Sequence, residues 1–286
     1  MIKLVISDID GTLVANGKSI SKENLAAIDK LHKNNIEFGV ATGRDYIHAK
    51  DTLKDVNLEL EYLCCSGAQY YDKKENIIME HLMESKQVAG VVDVLNRTNI
   101  AHMIVTSEGL FSLNPDRAKE EFLERVKAHF NPEIQRELEL ENMPFMNVKV
   151  IEDLDSWLSD SLKVIKFEIF SLDADLLQTV KDQVRNINDI VALSSFEDNV
   201  EITHIDAQKG VILEKVAKLK GLNKDEIAIV GDSYNDISMF ELFDYSFAPN
   251  SGIASIKDKA FHVTCSCEEH GFAAAVDYIL DSINKE

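Results

Sequence analysis

The chain reads as an α/β protein: a doubly wound parallel-sheet core with an inserted α+β domain. Three observations predict this. Short apolar runs alternate with helical patterns at both ends of the chain, the arrangement of parallel strands joined by helices. Several of those runs end in polar turns, as ligand-binding turns do at the carboxyl ends of such strands. Between the two ends lies a stretch of different texture, with more hairpin signals. The expected division is a core of residues 1–83 and 203–286, with residues 84–202 as the inserted domain.

Ile2, Leu4, Val5 and Ile6 predict a buried first strand, broken after Asp8-Ile9-Asp10 by Gly11. Ser21 opens a helix carrying Leu25, Ile28 and Leu31 at helical spacing, and Asn34-Asn35 ends it. Ile36–Ala41 is a strand running into Thr42-Gly43-Arg44, which is read as a helix start before a helix at about Tyr46–Leu53. Tyr62–Cys65 is a strand ending in Ser66-Gly67-Ala68. In the insertion, Val88, Val91, Val92 and Leu95 mark a helix, and Ala101–Ser107 and Leu110–Leu113 form a hairpin at Glu108-Gly109. A helix at about Asp116–Phe130, a loop or frayed helix end at Asn131–Asn142, and strands at Phe145–Ile151 and Leu162–Phe170 follow. A helix at Ala174–Val184 and two strands ending at Thr203 complete it. The alternation then resumes: a helix from Lys209 to about Gly221, a strand Ile227–Val230, a helix Ile237–Phe243 and a strand Tyr245–Ala248. A helix Gly252–Ala260, a strand Phe261–Thr264 and an amphipathic helix Phe272–Ile283 end the pattern.

With 286 residues, 45% of them apolar, the chain can build a sizeable core without disulfide or metal staples. A net charge of -20 argues against a nucleic-acid partner and against anionic membrane surfaces, because both need clustered Lys and Arg. It does not exclude a small phosphate ester, which a few local cations can hold. No basic segment followed by an apolar run marks a signal peptide, and no apolar stretch reaches the ~20 residues of a membrane span, so a cytoplasmic protein is expected. Cys64, Cys65, Cys265 and Cys267 lack the two-residue spacers of a zinc site and are read as reduced, mostly buried thiols.

Four constellations could carry chemistry. Asp8 and Asp10 lie two positions apart in an extended segment, so both carboxylates face one volume. They repel unless a cation or a shared proton intervenes; the plainer alternative is a solvated turn. A calcium loop is excluded, since Leu13 and Ser19 stand where it needs Gly and Glu. Thr42, Gly43 and Arg44 offer a hydroxyl, backbone N–H groups and a cation to an anion. Lys209 beside Gly210 opens another helix, and Asp232, Asn235 and Asp236 follow the strand at 227–230. Each has an ordinary structural explanation: an N-cap, a surface lysine, turn formers. Together, four carboxylates with hydroxyl and amide neighbours suit a hard cation such as Mg²⁺, and an Asp carboxylate is a known nucleophile toward phosphorus.

This set resembles the haloacid dehalogenase (HAD) superfamily of phosphohydrolases, and within it the Cof-type, subclass IIB phosphatases. Asp8–Leu13 is similar to the first motif of that superfamily, Ala41–Arg44 to the second, Lys209-Gly210 to the third and Gly231–Asp236 to the fourth. The resemblance covers nearly the whole chain and implies a Rossmann-like core with an inserted cap that chooses the leaving group. It implies that Asp8 attacks phosphorus to form an aspartyl-phosphate and that Asp10 serves as acid, then base. It implies Mg²⁺ held by Asp8, the Asp10 backbone carbonyl, Asp232 and Asp236, the last directly or through water. Thr42, Gly43, Arg44, Lys209 and Asn235 would contact the phosphate of a small phosphorylated metabolite, such as a sugar phosphate or phosphorylated cofactor. Ser66 stands where Asn is usual, Ala248–Ser251 replaces a common Met-Gly-Asn-Ala, and His204-Ile205-Asp206 precedes the lysine; none of these removes a catalytic group. A phosphomutase or phosphotransferase using the same intermediate, and a non-catalytic ligand sensor, are the competing readings.

Overall fold

A computed structural model of the chain describes residues 1–15, 19–129, 147–159 and 163–283. The chain divides into two compact units, Met1–His81 with Asp206–Glu286, and Leu82–Ile205. In chain order the first unit opens with β1 (Leu4–Ser7), α1 (Lys22–Lys33), β2 (Glu37–Ala41), α2 (Tyr46–Thr52), β3 (Glu61–Cys64), β4 (Gln69–Tyr71) and β5 (Ile77–Glu80). The second unit contains α3 (Ser85–Arg97), β6 (Met103–Thr106), β7 (Gly109–Ser112), α4 (Pro115–His129), β8 (Val148–Val150), α5 (Leu154–Ser159), β9 (Val164–Phe170), α6 (Ala174–Val184), β10 (Ile190–Leu193) and β11 (Asn199–His204). The first unit is completed by α7 (Lys209–Lys220), β12 (Ile227–Val230), α8 (Ile237–Leu242), β13 (Tyr245–Pro249), α9 (Ala254–Lys257), β14 (His262–Thr264) and α10 (Gly271–Tyr278).

The first unit is built on an eight-stranded sheet in the order β14-β13-β12-β1-β2-β3-β4-β5. The strands from β14 to β3 are parallel, and β4 and β5 extend the edge antiparallel. β1 is the pivot: Leu4 pairs with Ile227 on one side and with Glu37 on the other. One half of the chain winds outward from it through β2 and β3, the other through β12 and β13. The carboxyl ends of β1 and β12, where the winding reverses, are where doubly wound sheets bind ligands. All residues of β1 and β12 are buried, as expected of strands covered by helices on both faces. Ser21 caps α1 by accepting the Asn24 N–H, Ala27, Ile28 and Leu31 form its buried stripe, and Asn35 at φ 58° turns the chain out of the helix.

The second unit is a six-stranded sheet, β10-β11-β9-β6-β7-β8, antiparallel except for β7 with β8. Val88, Val91, Val92 and Leu95 of α3 and Leu177, Val180 and Val184 of α6 pack on one face over Phe167 and Ile169. Phe122 and Val126 of α4 join Met103 and Phe170 in a separate apolar cluster.

The α/β class and the parallel core match the expectation, as does the hairpin of β6 and β7. One reading needs correction, and two elements were not expected from the sequence. The β4–β5 hairpin was not foreseen, because its strands are only three and four residues long and flank a polar turn. α5, a helix of six residues, is too short to show helical periodicity. Thr42 and Gly43 are not at a helix start: α2 begins at Tyr46, and Asp45 caps it by accepting the His48 N–H at 2.9 Å. The loop expected at 131–142 lies outside the described residues. No helix among the described residues is long and apolar enough to cross a membrane.

Candidate active site

Asp8 leaves β1 with its N–H donating to the Val230 carbonyl of β12 at 2.8 Å, which ties the turn to the neighbouring strand. The turn is closed by Leu13 and Val14 N–H groups donating to the Ile9 carbonyl. Gly11 has φ 81°, and a Cβ there would come within 2.5 Å of Asp232 Oδ2, so the position demands glycine on both counts. The buried Asn24 of α1 donates its side-chain amide to the Leu13 carbonyl and accepts the Ala273 N–H of α10, anchoring the turn from below.

Lys209, the first residue of α7, is fully buried. Its ammonium donates to Asp8 Oδ1 at 2.7 Å and to Asp236 Oδ1 at 2.6 Å. Asp236 Oδ2 accepts the N–H groups of Asp232 and Ser233 at 2.9 and 3.0 Å. Thr12 donates its hydroxyl to Asp232 Oδ1 at 2.5 Å, joining residues 220 positions apart. Asp8, Asp232 and Asp236 each place a carboxylate oxygen within 4.8 Å of the others. Asn235 is buried in the turn between Asp232 and Asp236.

Asp10 is not part of that carboxylate group. Its two oxygens accept from Arg44, Oδ1 from Nη2 at 2.6 Å and Oδ2 from Nε at 2.7 Å. Arg44 Nη1 donates to Thr52 Oγ1, so the guanidinium is held at both ends. Bidentate pairing of this kind fixes orientation as well as charge. The Thr42 hydroxyl accepts the Arg44 N–H at 3.2 Å, and Thr42 is wholly buried at the end of β2.

Asp8 and Asp236 share one ammonium, Asp232 lies beside them, and the surplus negative charge bears on Asp8 and Asp232. Burial, with Asp236, Asp232 and Asp10 adding to it against the opposing pull of Lys209, holds the Asp8 carboxyl well above its usual range. Burial and Asp236 push Asp232 up to about 7. Burial alone would depress Lys209, but Asp236 and Asp8 outweigh it and raise its pKa, keeping it charged. Asp8, Asp232 and Asp236 all offer carboxylate oxygens. A hard divalent cation would cancel the surplus and match the donor type, so the residues present fit Mg²⁺.

The structure therefore brings Asp8, Lys209, Asp232 and Asp236 together, with Asn235 and Thr42 buried beside their turns, and sets Arg44 on Asp10. Two contributors were not anticipated. The Thr12 hydroxyl orients Asp232. Cys267 donates its thiol to the Thr12 carbonyl at 3.2 Å, and burial together with Asp232 pushes that thiol up to about 12. Neither contact leaves a signal in local spacing. The four cysteines are unbridged, and all but Cys265 are buried.

Known proteins resemble the chain over nearly its whole length. The family model for haloacid dehalogenase-like hydrolases matches residues 5–276. The 5-amino-6-(5-phospho-D-ribitylamino)uracil phosphatase YwtE of Bacillus subtilis is 28% identical over 283 residues, covering 98% of each chain. Phosphatase YwpJ of the same organism is 25% identical over 98% of this chain and 100% of its own. A solved haloacid dehalogenase-like hydrolase from B. subtilis superposes with a TM-score of 0.82 at 22% identity, over 97% of this chain and 100% of that one. The chain belongs to the haloacid dehalogenase-like hydrolase family, as a phosphatase.

Proposed function

We propose that this phosphatase hydrolyses the monoester of a small phosphorylated metabolite, with Asp8 as nucleophile and Mg²⁺ as cofactor. The observation that carries the reading is the single buried ammonium of Lys209 shared by Asp8 and Asp236, with Asp232 alongside. Lys209 orients the Asp8 carboxylate and supplies positive charge where a phosphoryl group would arrive. Asp8 Oδ attacks phosphorus, the bond to the ester oxygen breaks, and Asp10 delivers a proton to the departing alkoxide. Asp10 then takes a proton from the water that attacks the aspartyl-phosphate, releasing phosphate and restoring Asp8. Arg44 holds Asp10 in its ionised form beside the site, and Asp10 frees one oxygen from the guanidinium to carry the proton it delivers, while Thr42, Gly43 and Asn235 contact the phosphate oxygens.

Asp8, Asp232 and the Asp10 backbone carbonyl would hold Mg²⁺ directly. Asp236, with Lys209 on one oxygen and two N–H groups on the other, would act through water. When bound, the cation supplies charge that offsets repulsion between carboxylate and phosphate. Residues 82–205 serve on this reading as the cap that selects the organic group. Because the relative YwtE is named for a phosphoribitylamino-uracil, phosphorylated polyols and sugars joined to a heterocycle are the first substrates to try.

The test is release of inorganic phosphate from about 50–100 phosphorylated metabolites with Mg²⁺, ranked by kcat/KM. Free phosphate from one or more of them supports hydrolysis. An isomerised phosphate ester without free phosphate would overturn it in favour of a mutase.

A further inference from the structure

Cys65, Ser66 and Gly67 follow β3 and all three have positive φ, at 51°, 56° and 101°. Two of them carry a Cβ, which this region of backbone space penalises. All three are buried, so the conformation is imposed by the surroundings. Ala68 N–H closes the turn by donating to the Cys65 carbonyl at 3.1 Å.

The turn is tied to the site on two sides. Toward β2, Cys65 N–H donates to the Arg44 carbonyl at 2.8 Å, and Ser66 N–H donates to the Thr42 carbonyl at 2.9 Å. Toward α7, Gly67 lies against the residue that precedes Lys209. A Cβ on Gly67 would sit 2.5 Å from the Gln208 carbonyl carbon, 2.7 Å from its oxygen and 2.9 Å from its nitrogen. These are backbone atoms, which cannot swing aside as a side chain would. The segment bearing Arg44 and the segment bearing Lys209 are therefore seated on the same three residues. Arg44 grips Asp10, and Lys209 grips Asp8.

We propose that the Cys65–Ser66–Gly67 turn is a positioning element that sets the spacing between Arg44 and Lys209, and through them the placement of Asp10 relative to Asp8. The assignment of the two aspartates rests on the function proposed above. The left-handed path lets two successive N–H groups reach the carbonyls of residues 42 and 44 while residue 67 lies against the backbone of Gln208, just before α7. An extended continuation of β3 would point those N–H groups to opposite sides.

Gly67→Ala forces the Gln208 backbone away. It is expected to lower kcat/KM for p-nitrophenyl phosphate about 100-fold, mainly through kcat, as a misplacement of about 1 Å does. Gly221→Ala is the control. Gly221 also has positive φ, 66°, but a Cβ there meets nothing within 4 Å, so this variant loses some thermal stability and keeps its kcat/KM. A folded Gly67→Ala enzyme with unaltered kcat/KM would overturn the proposal. If Gly67→Ala does not fold, Ser66→Gly reads the same point: both backbone donors remain while the strain relaxes. Its melting temperature should rise and its kcat fall several-fold with KM little changed, and Ser66→Asn, which tolerates the left-handed region, should restore kcat. Equal kcat in Ser66→Gly and the natural enzyme would refute the positioning role.

A natural enzyme that turned over no phosphate ester would defeat the functional reading alone. The turn is then tested by a double-mutant cycle of Ser66→Gly with Arg44→Ala in urea unfolding. Coupling of about threefold or more in the unfolding constant supports positioning, and additivity rejects it.

Discussion

Each unit of this molecule buries a lysine between two carboxylates, and the two clusters differ in what surrounds them. In the first unit Lys209 joins Asp8 and Asp236. In the second, Lys166 of β9 pairs with Glu168 on its own strand and donates to Glu201 of β11 at 2.8 Å, and Ser195 closes the far side of Glu201. Burial of an ion pair is therefore no signature of an active site here. Place and surplus make the difference. Lys209 sits at the carboxyl ends of parallel strands, where turns leave backbone groups free of a ladder, and a third carboxylate, Asp232, exceeds the available positive charge. Lys166 sits mid-sheet, with Thr203 opposite it and Glu201 opposite Glu168 in register. β9 and β11 each have a neighbour on both sides, so their backbone groups are committed to the sheet.

The largest expected effect tests the first cluster at its centre. Asp8→Asn should remove turnover by about 10⁴-fold or more while leaving the fold intact, because an amide oxygen is a poor nucleophile toward phosphorus. Turnover of p-nitrophenyl phosphate near the natural level would refute the mechanism.

The two lysines can then be exchanged for methionine in turn. Lys209→Met should lower kcat by about 10²–10³-fold, the loss seen when one preorganised charge contact is removed. Lys166→Met should instead cost about 3–5 kcal/mol in urea unfolding, since two buried glutamates lose their cation. Its kcat should fall far less than that of the Lys209 variant. If the order of the kcat losses were reversed, the contrast between the clusters would fail.

A cation should also tell the clusters apart. At about 100 times its dissociation constant, Mg²⁺ should stabilise the natural protein by about 2.7 kcal/mol. Asp232→Asn should lose most of that gain, whereas Glu201→Gln should keep it. A melting temperature indifferent to Mg²⁺ would count against the surplus carboxylates as its site.

The contrast also explains what could be read from the chain alone. Asp8, Asp10 and Asp232 stand in turns beside apolar runs and Lys209 opens a helix beside Gly210, and such junctions advertise themselves through glycine and polar residues in short succession. The parallel core was legible for the same reason: its strands are continuous apolar runs and its helices carry clear periodicity. The pairing of Arg44 with Asp10, the reach of Thr12 to Asp232 and the seat of Lys209 on the 65–67 turn were not legible. Each joins segments brought together only by the winding of the sheet, and none imposes a local spacing. The second cluster was hidden differently. Val164–Phe170 alternates charged and apolar residues, the pattern of a strand with one wet face, yet all seven residues are buried.

That hidden cluster has a pH dependence of its own. Burial, with Glu201 adding to it against Lys166, raises the Glu168 carboxyl from the ordinary 4.5 to about 7. Between those values the folded protein holds a proton that the unfolded chain has released. The contribution to stability is therefore full below about pH 4.5 and is lost as pH rises through about 7. Urea unfolding from about pH 5 to pH 8 should show a decline of about 2 kcal/mol from this group. Glu168→Gln should flatten that decline, because the amide carries no titrating proton and can still accept from Lys166. An unchanged slope in Glu168→Gln would mean that the proton is held elsewhere. The two buried lysines would then differ only in position, and not in how their carboxylates share charge.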